Sequence, residues 1–503
     1  IKNYMFFFFG NNNNGENMEN KSLWQLYMRK NYTDSLDKDI NVDVLIIGGG
    51  ITGLTTMYFL KDSNLNVSLV EKDHIGSGAS CFTTGKLTYM QDLIYKNMNE
   101  NIAKLYLDSQ KEAINIVKDI VNKNNILCNL EPTHSYIFTD DVNKVSNFKK
   151  EELMYGELGI KYKSSNKIPI KFPTVYSIKV NDGYVFHPLK YLYSLKKIIL
   201  NSNKKIYENT RIINISKEDN YYIANTINNK IKAKYIIICT QYPFFVNPMF
   251  LPLKSKVSKS YIICGNTLKD KKFQAISNLK PVNSIRYYSN NNKNYLIYGS
   301  RDIKNNINEE VNYKNQINKY KKYFNDDIKY YFKNQDIMTI DNLPLIGRIN
   351  NSNLLIGTGY NKWGMTNGTI AGKILSDIVL GNDNKYIDLF RLNRSINIKN
   401  YSNLVIYNFS NISNYVLSKV KNNYSFYNDS VKIITKDGIK YGIYTDKKGK
   451  YHIVKNLCPH LKCNLIFNNI DKTWDCPCHG SRFSIDGKCI FGPSVYDISV
   501  DDL

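Results

Sequence analysis

The sequence predicts an α/β domain with an inserted antiparallel β sheet, followed by a small all-β domain at the C-terminal end. Two observations support this prediction. A glycine turn at residues 48–53 follows an apolar strand and opens an apolar helix. Near the other end of the chain, two short cysteine and histidine motifs lie among segments of alternating polarity. The length of 503 residues leaves room for two or three domains with ample core.

The composition argues against a nucleic-acid-binding or membrane-spanning protein. The net charge is +24, but the basic residues are spread along a chain that is also rich in Asn, Ile and Tyr, residue types that share AT-rich codons. No block of five or six like charges, no nucleic-acid motif and no apolar run long enough to span a membrane is present. Five of the nine cysteines fall in the last fifty residues, which indicates cofactor chemistry in a reducing compartment. We therefore predict a cytoplasmic protein with no nucleic-acid partner and no transmembrane segment.

Residues 1–40 are predicted to be an N-terminal extension. The chain begins without Met, and residues 11–14 are consecutive asparagines. Such a low-complexity tract cannot bury a core. We expect residues 1–17 to be disordered or not native.

A dinucleotide-binding fingerprint follows this extension. Residues 42–47 read as an apolar strand, a G-x-G-x-x-G turn and a helix come next, and a second apolar strand ends at Glu71. Gly48 permits the tight turn, Gly50 lets the backbone approach a pyrophosphate, and Gly53 lets the helix lie close to the sheet. The helix N-terminus attracts phosphate, and Glu71 can accept a hydrogen bond from a ribose hydroxyl.

The residues beyond the fingerprint resemble the FAD-dependent oxidoreductases of the D-amino-acid oxidase, glycine oxidase and sarcosine oxidase superfamily. The Gly/Ser/Thr-rich stretch at residues 74–88 is similar to the loop after the acidic residue in that superfamily. Further similar segments occur in family order at residues 208–212, 235–240, 341–347 and 357–366. The resemblance implies FAD as the cofactor. It also implies these further FAD-binding residues: Lys72, Ser80, Ile212, Thr240, Gly347, Gly359, Gly364, Met365 and Thr366.

The last of these segments precedes a predicted helix at residues 367–380. Thr366 is the expected N-cap, and Gly381 is the expected C-terminal stop. The N-terminus of this helix would stabilise negative charge on a reduced flavin.

Two mixed cysteine and histidine pairs predict an iron-sulfur site. Cys458-x-His460 is separated by fifteen residues from Cys476-x-x-His479. Two thiolates and two imidazoles are the ligands of a Rieske 2Fe-2S centre, in which two histidines replace two cysteines on one iron. The same ligand types also satisfy tetrahedral zinc, but zinc fingers place two cysteines first and two histidines after. The mixed pairs therefore favour the Rieske cluster over zinc.

The residues around these pairs closely resemble the two cluster loops of Rieske proteins. The resemblance implies a disulfide between Cys463 and Cys478, and it gives the Ser481 hydroxyl the role of donating to a cluster sulfur and raising the potential. Pro493 stands where the family has its cluster-covering proline loop. Phe483 stands where high-potential members have Tyr, which implies a lower potential.

The two resemblances together predict the domain organisation. An FAD-dependent oxidoreductase domain is expected at residues 41–385, a helical linker at 386–425 and a Rieske 2Fe-2S domain at 426–503. Within the first domain, the FAD-binding parts are expected at residues 41–90, 181–244 and 336–385, and the substrate domain at 91–180 and 245–335.

The hydride donor is expected to be a small molecule. Only one dinucleotide fingerprint is present and no redox C-x-x-C lies near the flavin segments, so NAD(P)H is not the expected donor. The superfamily implies a small amine or amino acid whose C–H bond beside nitrogen passes a hydride to the flavin, which leaves an imine that hydrolyses. Arg286 is the candidate for binding a substrate carboxylate, since its planar fork suits bidentate recognition. A structural arginine on an inserted strand is the alternative.

The cluster predicts where the electrons go. A Rieske cluster takes one electron at a time at relatively high potential, so flow from flavin outward is expected to be downhill. The leading hypothesis is an FAD- and 2Fe-2S-dependent dehydrogenase that passes electrons through the cluster to an external acceptor, either a protein or a quinone. Two alternatives remain: a reductase in which a partner reduces the cluster and then the flavin, and a non-catalytic redox sensor that docks to a partner.

Overall fold

A computed structural model describes most of the chain, in nine stretches. These are residues 19–27, 31–243, 254–269, 271–290, 293–301, 309–324, 327–394, 430–478 and 480–500. Outside the described residues lie residues 1–17 of the predicted extension, most of the predicted linker at 386–425 and the predicted ligand His479.

Capping side chains, a proline or a glycine mark some helix ends, such as the starts of the second and fourth helices and the end of the sixth. In chain order they are α1 (Ile51–Leu60), α2 (Glu100–Lys123), α3 (Val145–Glu157), α4 (Pro188–Leu200), α5 (Glu309–Phe324), α6 (Gly364–Leu380) and α7 (Ile387–Phe390). Three 3-10 turns lie at Leu23–Tyr27, Tyr95–Asn97 and Val142–Lys144. The α2 helix is capped by the side chain of Asn99, which accepts a hydrogen bond from the Ile102 N–H.

Within the described residues, the strands form four sheets. The first eighteen strands are β1 (Glu19–Asn20), β2 (Ile40–Ile47), β3 (Val67–Val70), β4 (Lys86–Leu87), β5 (Glu131–Thr139), β6 (Lys163–Ser165), β7 (Tyr176–Val185), β8 (Lys205–Tyr207), β9 (Asn214–Glu218), β10 (Tyr221–Asn225), β11 (Lys230–Ile238), β12 (Ser255–Thr267), β13 (Phe273–Ser277), β14 (Val282–Asn290), β15 (Lys293–Arg301), β16 (Ile328–Thr339), β17 (Leu345–Arg348) and β18 (Leu354–Thr358). The remaining strands are β19 (Ser430–Lys436), β20 (Ile439–Thr445), β21 (Tyr451–Lys455), β22 (Ile466–Asn468), β23 (Thr473–Asp475), β24 (Arg482–Ser484) and β25 (Cys489–Phe491).

The dinucleotide-binding fingerprint lies in a sheet whose central strands are parallel. Its strand order is β17-β18-β11-β2-β3-β8, and β11 pairs in parallel with both β18 and β2. The inner strands are apolar because both faces are covered, and β3 is buried along its whole length. Parallel pairing brings the carboxyl ends of β2, β3 and β11 to one edge of the sheet, where the predicted cofactor residues follow.

The inserted residues, together with β1 and β4, form a ten-stranded sheet that is mixed and not purely antiparallel as predicted. The pairings of β12 with β15 and β16, and of β14 with β15, are antiparallel. However, β13 pairs in parallel with β5, and β1 pairs in parallel with β16. These parallel pairings join segments that are distant in sequence, so no hairpin turn could predict them.

Part of the predicted N-terminal extension belongs to the folded domain. In β1, Glu19 and Asn20 pair with Tyr330 and Tyr331 of the large sheet. The next turn places Trp24 in the core, where its side chain is fully buried and its Nε1 donates to the Thr83 carbonyl over 2.7 Å. Residues 19–27 are therefore part of the folded domain, although the sequence predicted them to belong to an N-terminal extension.

The C-terminal domain is all-β. It contains a three-stranded sheet, β19-β20-β21, and a four-stranded sheet, β22-β23-β24-β25. All pairings in these two sheets are antiparallel, and Trp474, Phe483 and Val454 are fully buried between them. The predicted fold class, an α/β dinucleotide-binding domain with an inserted sheet and a small all-β domain, is confirmed.

The predicted helix after residue 366 begins three residues earlier, at Gly364. Thr366 is thus in its first turn and is not the N-cap. Its hydroxyl donates to the Trp363 carbonyl and accepts from Gln91 Nε2. The C-terminal stop at Gly381 is confirmed, with a left-handed φ of +73°.

Among the described residues, none of the helices has the length and apolar character that crossing a bilayer demands.

Candidate functional site

A cavity of about 560 Å³ opens at the carboxyl edge of the parallel sheet. We call it the dinucleotide cleft. Its walls include the ends of β2, β3, β11 and β18, the N-termini of α1 and α6, residues 332–337 of β16, and several segments of the C-terminal domain. A concave site outside the carboxyl ends of parallel strands is where such sheets bind their ligands.

The glycine turn shapes the floor of the cleft by leaving out side chains. Gly48 has φ of +113°, and a Cβ there would lie 2.9 Å from the Cys239 carbonyl oxygen. A Cβ on Gly53 would lie 1.9 Å from the Gly48 carbonyl oxygen, a distance at which the backbone must move. The turn and α1 therefore approach each other closely, as a pyrophosphate cradle requires. Ser80 Oγ accepts from the Ile51 N–H at 3.1 Å, at the start of α1.

Glu71 lies beside this turn at the end of β3. Its carboxylate accepts from the Gly49 N–H at 2.7 Å and from the Asp73 N–H at 3.0 Å. Burial raises the pKa of Glu71, although these two backbone N–H groups oppose the shift. The acid lines the cleft, and its bonding to a ribose hydroxyl stays a prediction.

Ten of the thirteen residues predicted to bind FAD line the dinucleotide cleft: Gly48, Gly50, Glu71, Lys72, Ser80, Ile212, Thr240, Gly359, Gly364 and Met365. Gly53, Gly347 and Thr366 are not part of its wall. Gly53 acts through the close packing described above. The cleft also contains wall residues that the sequence did not predict, including Lys21 and Gln25 of the N-terminal segment and Gln335 of β16.

The cleft adjoins a smaller cavity of about 70 Å³, which we call the side chamber. The two cavities share wall residues, among them Phe82, Asp336, Lys362 and Met365. The side chamber is thus continuous with the cleft on the side of the large sheet. Its position between a cofactor cleft and an inserted sheet makes it the candidate substrate site.

Three cationic side chains line the side chamber. Lys86 Nζ donates to Ser284 Oγ at 2.7 Å and to the Ala275 carbonyl at 2.8 Å. Lys362 Nζ donates to Ser260 Oγ at 2.7 Å, and Arg301 pairs with Asp92. The chamber is therefore electropositive, with Asp336 as the one carboxylate among the described residues of its wall.

Burial lowers the pKa of Lys86 well below its ordinary value. The positive charges of Arg301 and Arg286 act in the same direction. A buried ammonium surrounded by other cations is unfavourable, so an anion entering the chamber would stabilise the charged form.

Arg286, the predicted carboxylate-binding residue, lies outside both the cleft and the side chamber. Its guanidinium is fully buried and donates to the carbonyls of Thr84, Gly85 and Phe186, the last two at 2.9 Å. It also lies over the ring of Trp24. These contacts engage both terminal nitrogens of the guanidinium and favour a structural role, so we do not assign Arg286 to the substrate.

The predicted cluster ligands lie in two adjacent loops of the C-terminal domain. Cys458 and Cys476 are buried, and a hydrogen bond with Cys476, aided by the backbone N–H of His460, lowers the pKa of the Cys458 thiol to about 7. A thiol near its ionisation point suits a metal ligand, which must be thiolate. His460 is half-buried in the first loop.

A disulfide joins Cys463 to Cys478 and so ties the two loops together. Ser481 is fully buried, and its Oγ accepts from the Ser494 N–H at 3.0 Å, so the loop that contains Pro493 is bonded to the second cluster loop. The donor set, the bridged loops and the covering loop fit a Rieske cluster.

The second cluster loop touches the dinucleotide cleft. Gln335 is 5% exposed, and its Nε2 donates to the Gly480 carbonyl at 2.9 Å, one residue after the predicted ligand His479. Gln335 itself lines the cleft. One side chain thus spans the wall between the two predicted cofactor sites.

Comparison with known proteins supports both the predicted oxidoreductase domain and the predicted Rieske domain. Residues 43–378 match the FAD dependent oxidoreductase family, and residues 416–500 match the Rieske [2Fe-2S] domain. A putative Rieske 2Fe-2S iron-sulfur protein, YhfW of Bacillus subtilis, is 30% identical over 93% of this chain and 95% of its own length. Gamma-glutamylputrescine oxidoreductase of Escherichia coli is 22% identical over 70% of this chain and 87% of its own length.

Solved structures show the same fold. Glycine oxidase from Geobacillus kaustophilus aligns with a TM-score of 0.62 and 15% identity, over 71% of this chain and all of its own. L-amino acid deaminase from Proteus vulgaris aligns with a TM-score of 0.60 and 16% identity, over 74% of this chain and 98% of its own. With the cleft, the cluster loops and these similarities together, the chain belongs to the FAD-dependent oxidoreductase family and ends in a Rieske domain that binds a 2Fe-2S cluster.

Proposed function

We propose that this enzyme is a dehydrogenase that oxidises a small amino acid or a related amine bearing a carboxylate. The substrate loses a hydride from carbon and a proton from nitrogen, and water hydrolyses the resulting imine to a carbonyl compound and ammonia or a smaller amine. When bound, FAD would supply the hydride acceptor and a Rieske cluster would supply a one-electron relay, used twice per substrate, to an external acceptor protein or quinone.

The contact between Gln335 and Gly480 is the observation that supports the electron route. An oxidase that returns its electrons to dioxygen needs no second redox centre. Here the side chain of a residue lining the cofactor cleft donates to the loop that holds a predicted cluster ligand. Such direct contact favours transfer within the molecule, because hydrogen-bonded protein atoms connect the cleft to the second cluster loop.

The side chamber supports a carboxylate on the substrate. Arg301, whose Nη2 pairs with Asp92, brings a planar guanidinium to the cavity wall, and Lys86 and Lys362 add positive charge there. Phe82 and Trp363 provide apolar surface beside them, which would exclude water from the reacting carbon. We assign Arg301, in place of Arg286, as the residue that orients the carboxylate.

Anaerobic rapid mixing tests this proposal. The oxidised enzyme is mixed with a panel of amino acids and with the decarboxylated amine of each, while the absorbance of the flavin and that of the cluster are followed separately. We expect amino acids to bleach the flavin first and the cluster afterwards. Failure of every amine and amino acid, together with flavin reduction when reduced ferredoxin is added, would establish the reverse direction of flow.

A Gln335→Leu variant tests the route itself. We expect flavin bleaching to keep its rate while cluster reduction becomes slower, because the contact to Gly480 is lost. Gln316→Leu is the matched control, since Gln316 is also a buried glutamine but donates to the carbonyls of Tyr261 and Tyr298. Equal rates of cluster reduction in the two variants would contradict the assigned route.

A further inference from the structure

We infer that the FAD site is built by two domains: residues 489–495 of the Rieske domain form one wall of the dinucleotide cleft, so FAD binding and Rieske docking stabilise each other. We call residues 489–495 the partition loop. The inference requires only that FAD occupies the cleft, and it holds whichever way electrons flow.

The partition loop faces both cofactor sites. Toward the cleft, it contributes wall residues that share the cavity with the glycine turn and Glu71: Cys489, Ile490, Phe491, Gly492, Ser494 and Val495. Toward the cluster, the Ser494 N–H donates to Ser481 Oγ at 3.0 Å. Within the loop, Cys489 Sγ donates to the Ser494 carbonyl at 3.0 Å, which holds its two ends together. The loop is therefore a shared wall with an internal brace.

Two cations of the FAD domain hold the partition loop by its backbone. Arg211 Nη2 donates to the Cys489 carbonyl at 3.0 Å, and its Nη1 donates to the Val495 carbonyl at 3.3 Å. Lys72 Nζ donates to the Ile490 carbonyl at 2.5 Å. Both cations also line the cleft, and Lys72 directly follows Glu71.

An acidic residue of the Rieske domain completes this attachment. Asp497 Oδ1 accepts from Arg211 at 2.9 Å and from the Cys489 N–H at 2.8 Å. Charge-assisted bonds of this kind are stronger than neutral ones, and here they fix the loop at the edge of the cleft.

A second set of contacts holds the other side of the Rieske domain on β12 and β16. Lys333 pairs with Asp471, and Lys259 lies 3.6 Å from Asp475. Asp475 is desolvated, but Arg482, Lys333 and Lys259 hold its pKa well below the ordinary value. Asp471 and Arg482 also line the cleft, so both attachments border the cofactor site.

This arrangement links FAD binding thermodynamically to docking of the Rieske domain. A ligand that contacts both domains favours the docked state by its differential affinity for that state, and docking raises the affinity for the ligand by the same factor. FAD would thus act as a bridge between the domains, in addition to its redox role.

Two aromatic truncations in the full-length protein test the inference. Phe491 lines the cleft, whereas Tyr496 lies five residues further along, is 55% exposed and is not part of the cleft wall. We expect Phe491→Ala to raise the Kd for FAD roughly tenfold, which corresponds to about 1.4 kcal/mol. Tyr496→Ala should change it less than about twofold. The Kd is measured by titrating deflavinated protein with FAD and following the quenching of flavin fluorescence, and cluster absorbance and electron paramagnetic resonance spectra show that the cluster is intact.

Hydrogen exchange of the unsubstituted protein provides the second measurement. We expect FAD to slow amide exchange in residues 489–495 of the protein that holds its cluster. If Phe491→Ala loses its cluster, this exchange measurement decides alone. Wild-type FAD affinity in an intact Phe491→Ala variant, or exchange in the loop that is unchanged by FAD, would overturn the inference.

Discussion

The dinucleotide cleft and the side chamber are adjoining parts of one cavity, yet opposite features shape them. The cleft depends on missing side chains, since a Cβ on Gly53 would lie 1.9 Å from the Gly48 carbonyl oxygen. The chamber depends on charged side chains that project from different strands and loops, Arg301 and Lys362 among them. The difference teaches that the cofactor site should be damaged by adding atoms, and the substrate site by removing charge.

Adding one methyl group to the turn should have the largest effect. Gly53→Ala forces the Gly48 backbone to move, so we expect the purified protein to lose stoichiometric FAD. The flavin content is measured from its absorbance after denaturation. Gly156→Ala is the control, because nothing lies within 4 Å of its added Cβ in α3. That variant should keep FAD and gain about 0.5–1 kcal/mol of stability. Full flavin content in Gly53→Ala would break the comparison.

Removing charge from the chamber should have the next largest effect. Arg301→Met should lower kcat/KM for an amino acid roughly 10- to 150-fold, because a charged hydrogen bond to the carboxylate is lost. This corresponds to a loss of about 1.5–3 kcal/mol of transition-state stabilisation. The corresponding decarboxylated amine should be affected much less, and Arg301→Lys should recover part of the loss. An equal loss for both substrates would remove Arg301 from carboxylate recognition.

Arg286→Met sharpens the same prediction. This change removes the guanidinium donors from the carbonyls of Thr84, Gly85 and Phe186, of which the Gly85 carbonyl still accepts from the Phe186 N–H. We expect a loss of several kcal/mol of stability, on the order of 1–3 kcal/mol for each buried group left unsatisfied. The variant should show a lower thermal midpoint without preferring the amine over the amino acid.

The smallest expected effect is a pH dependence. Lys86 binds an anion best when it is protonated, and its pKa is lowered by burial. Affinity for an anionic ligand should therefore be full below this lowered pKa and fall as pH rises through it, by up to about tenfold per pH unit. The probe is a short aliphatic carboxylate without an amine, whose binding perturbs the flavin absorbance. Lys86→Met should bind this carboxylate more weakly, and its affinity should no longer fall over that pH range. An unchanged fall in the variant would assign the pH dependence to another group.

The same contrast explains what could be predicted from the sequence. Gly48, Gly50 and Glu71 lie within one strand-turn-helix-strand unit, so their spacing alone indicates the cleft. The cluster ligands are likewise grouped in two short motifs. Site residues that are grouped in this way within short motifs can be recognised without knowledge of the tertiary structure.

The side chamber could not be predicted in this way. Lys86, Ser260, Arg301 and Lys362 come from four separate segments, and no spacing in the chain relates them. The choice between the two arginines illustrates the limit. The register of β14 with β15 pairs Val282 with Arg301 and Arg286 with Ile297, so both arginines point to the same face of the sheet. Their surroundings distinguish them, since Arg286 donates to the carbonyls of Thr84 and Gly85, whereas Arg301 pairs with Asp92.

The pairing of β1 with β16 has a consequence for how the protein is made. Glu19 pairs with Tyr330, so the strand that leads into Lys21 and Gln25 at the cleft cannot dock until the ribosome has synthesised more than three hundred further residues. The partition loop emerges later still, at residues 489–495. During translation, the glycine turn is complete long before the rest of its cavity. Cofactor loading is therefore expected to follow release of nearly the whole chain, and nascent chains arrested before residue 330 should not retain FAD.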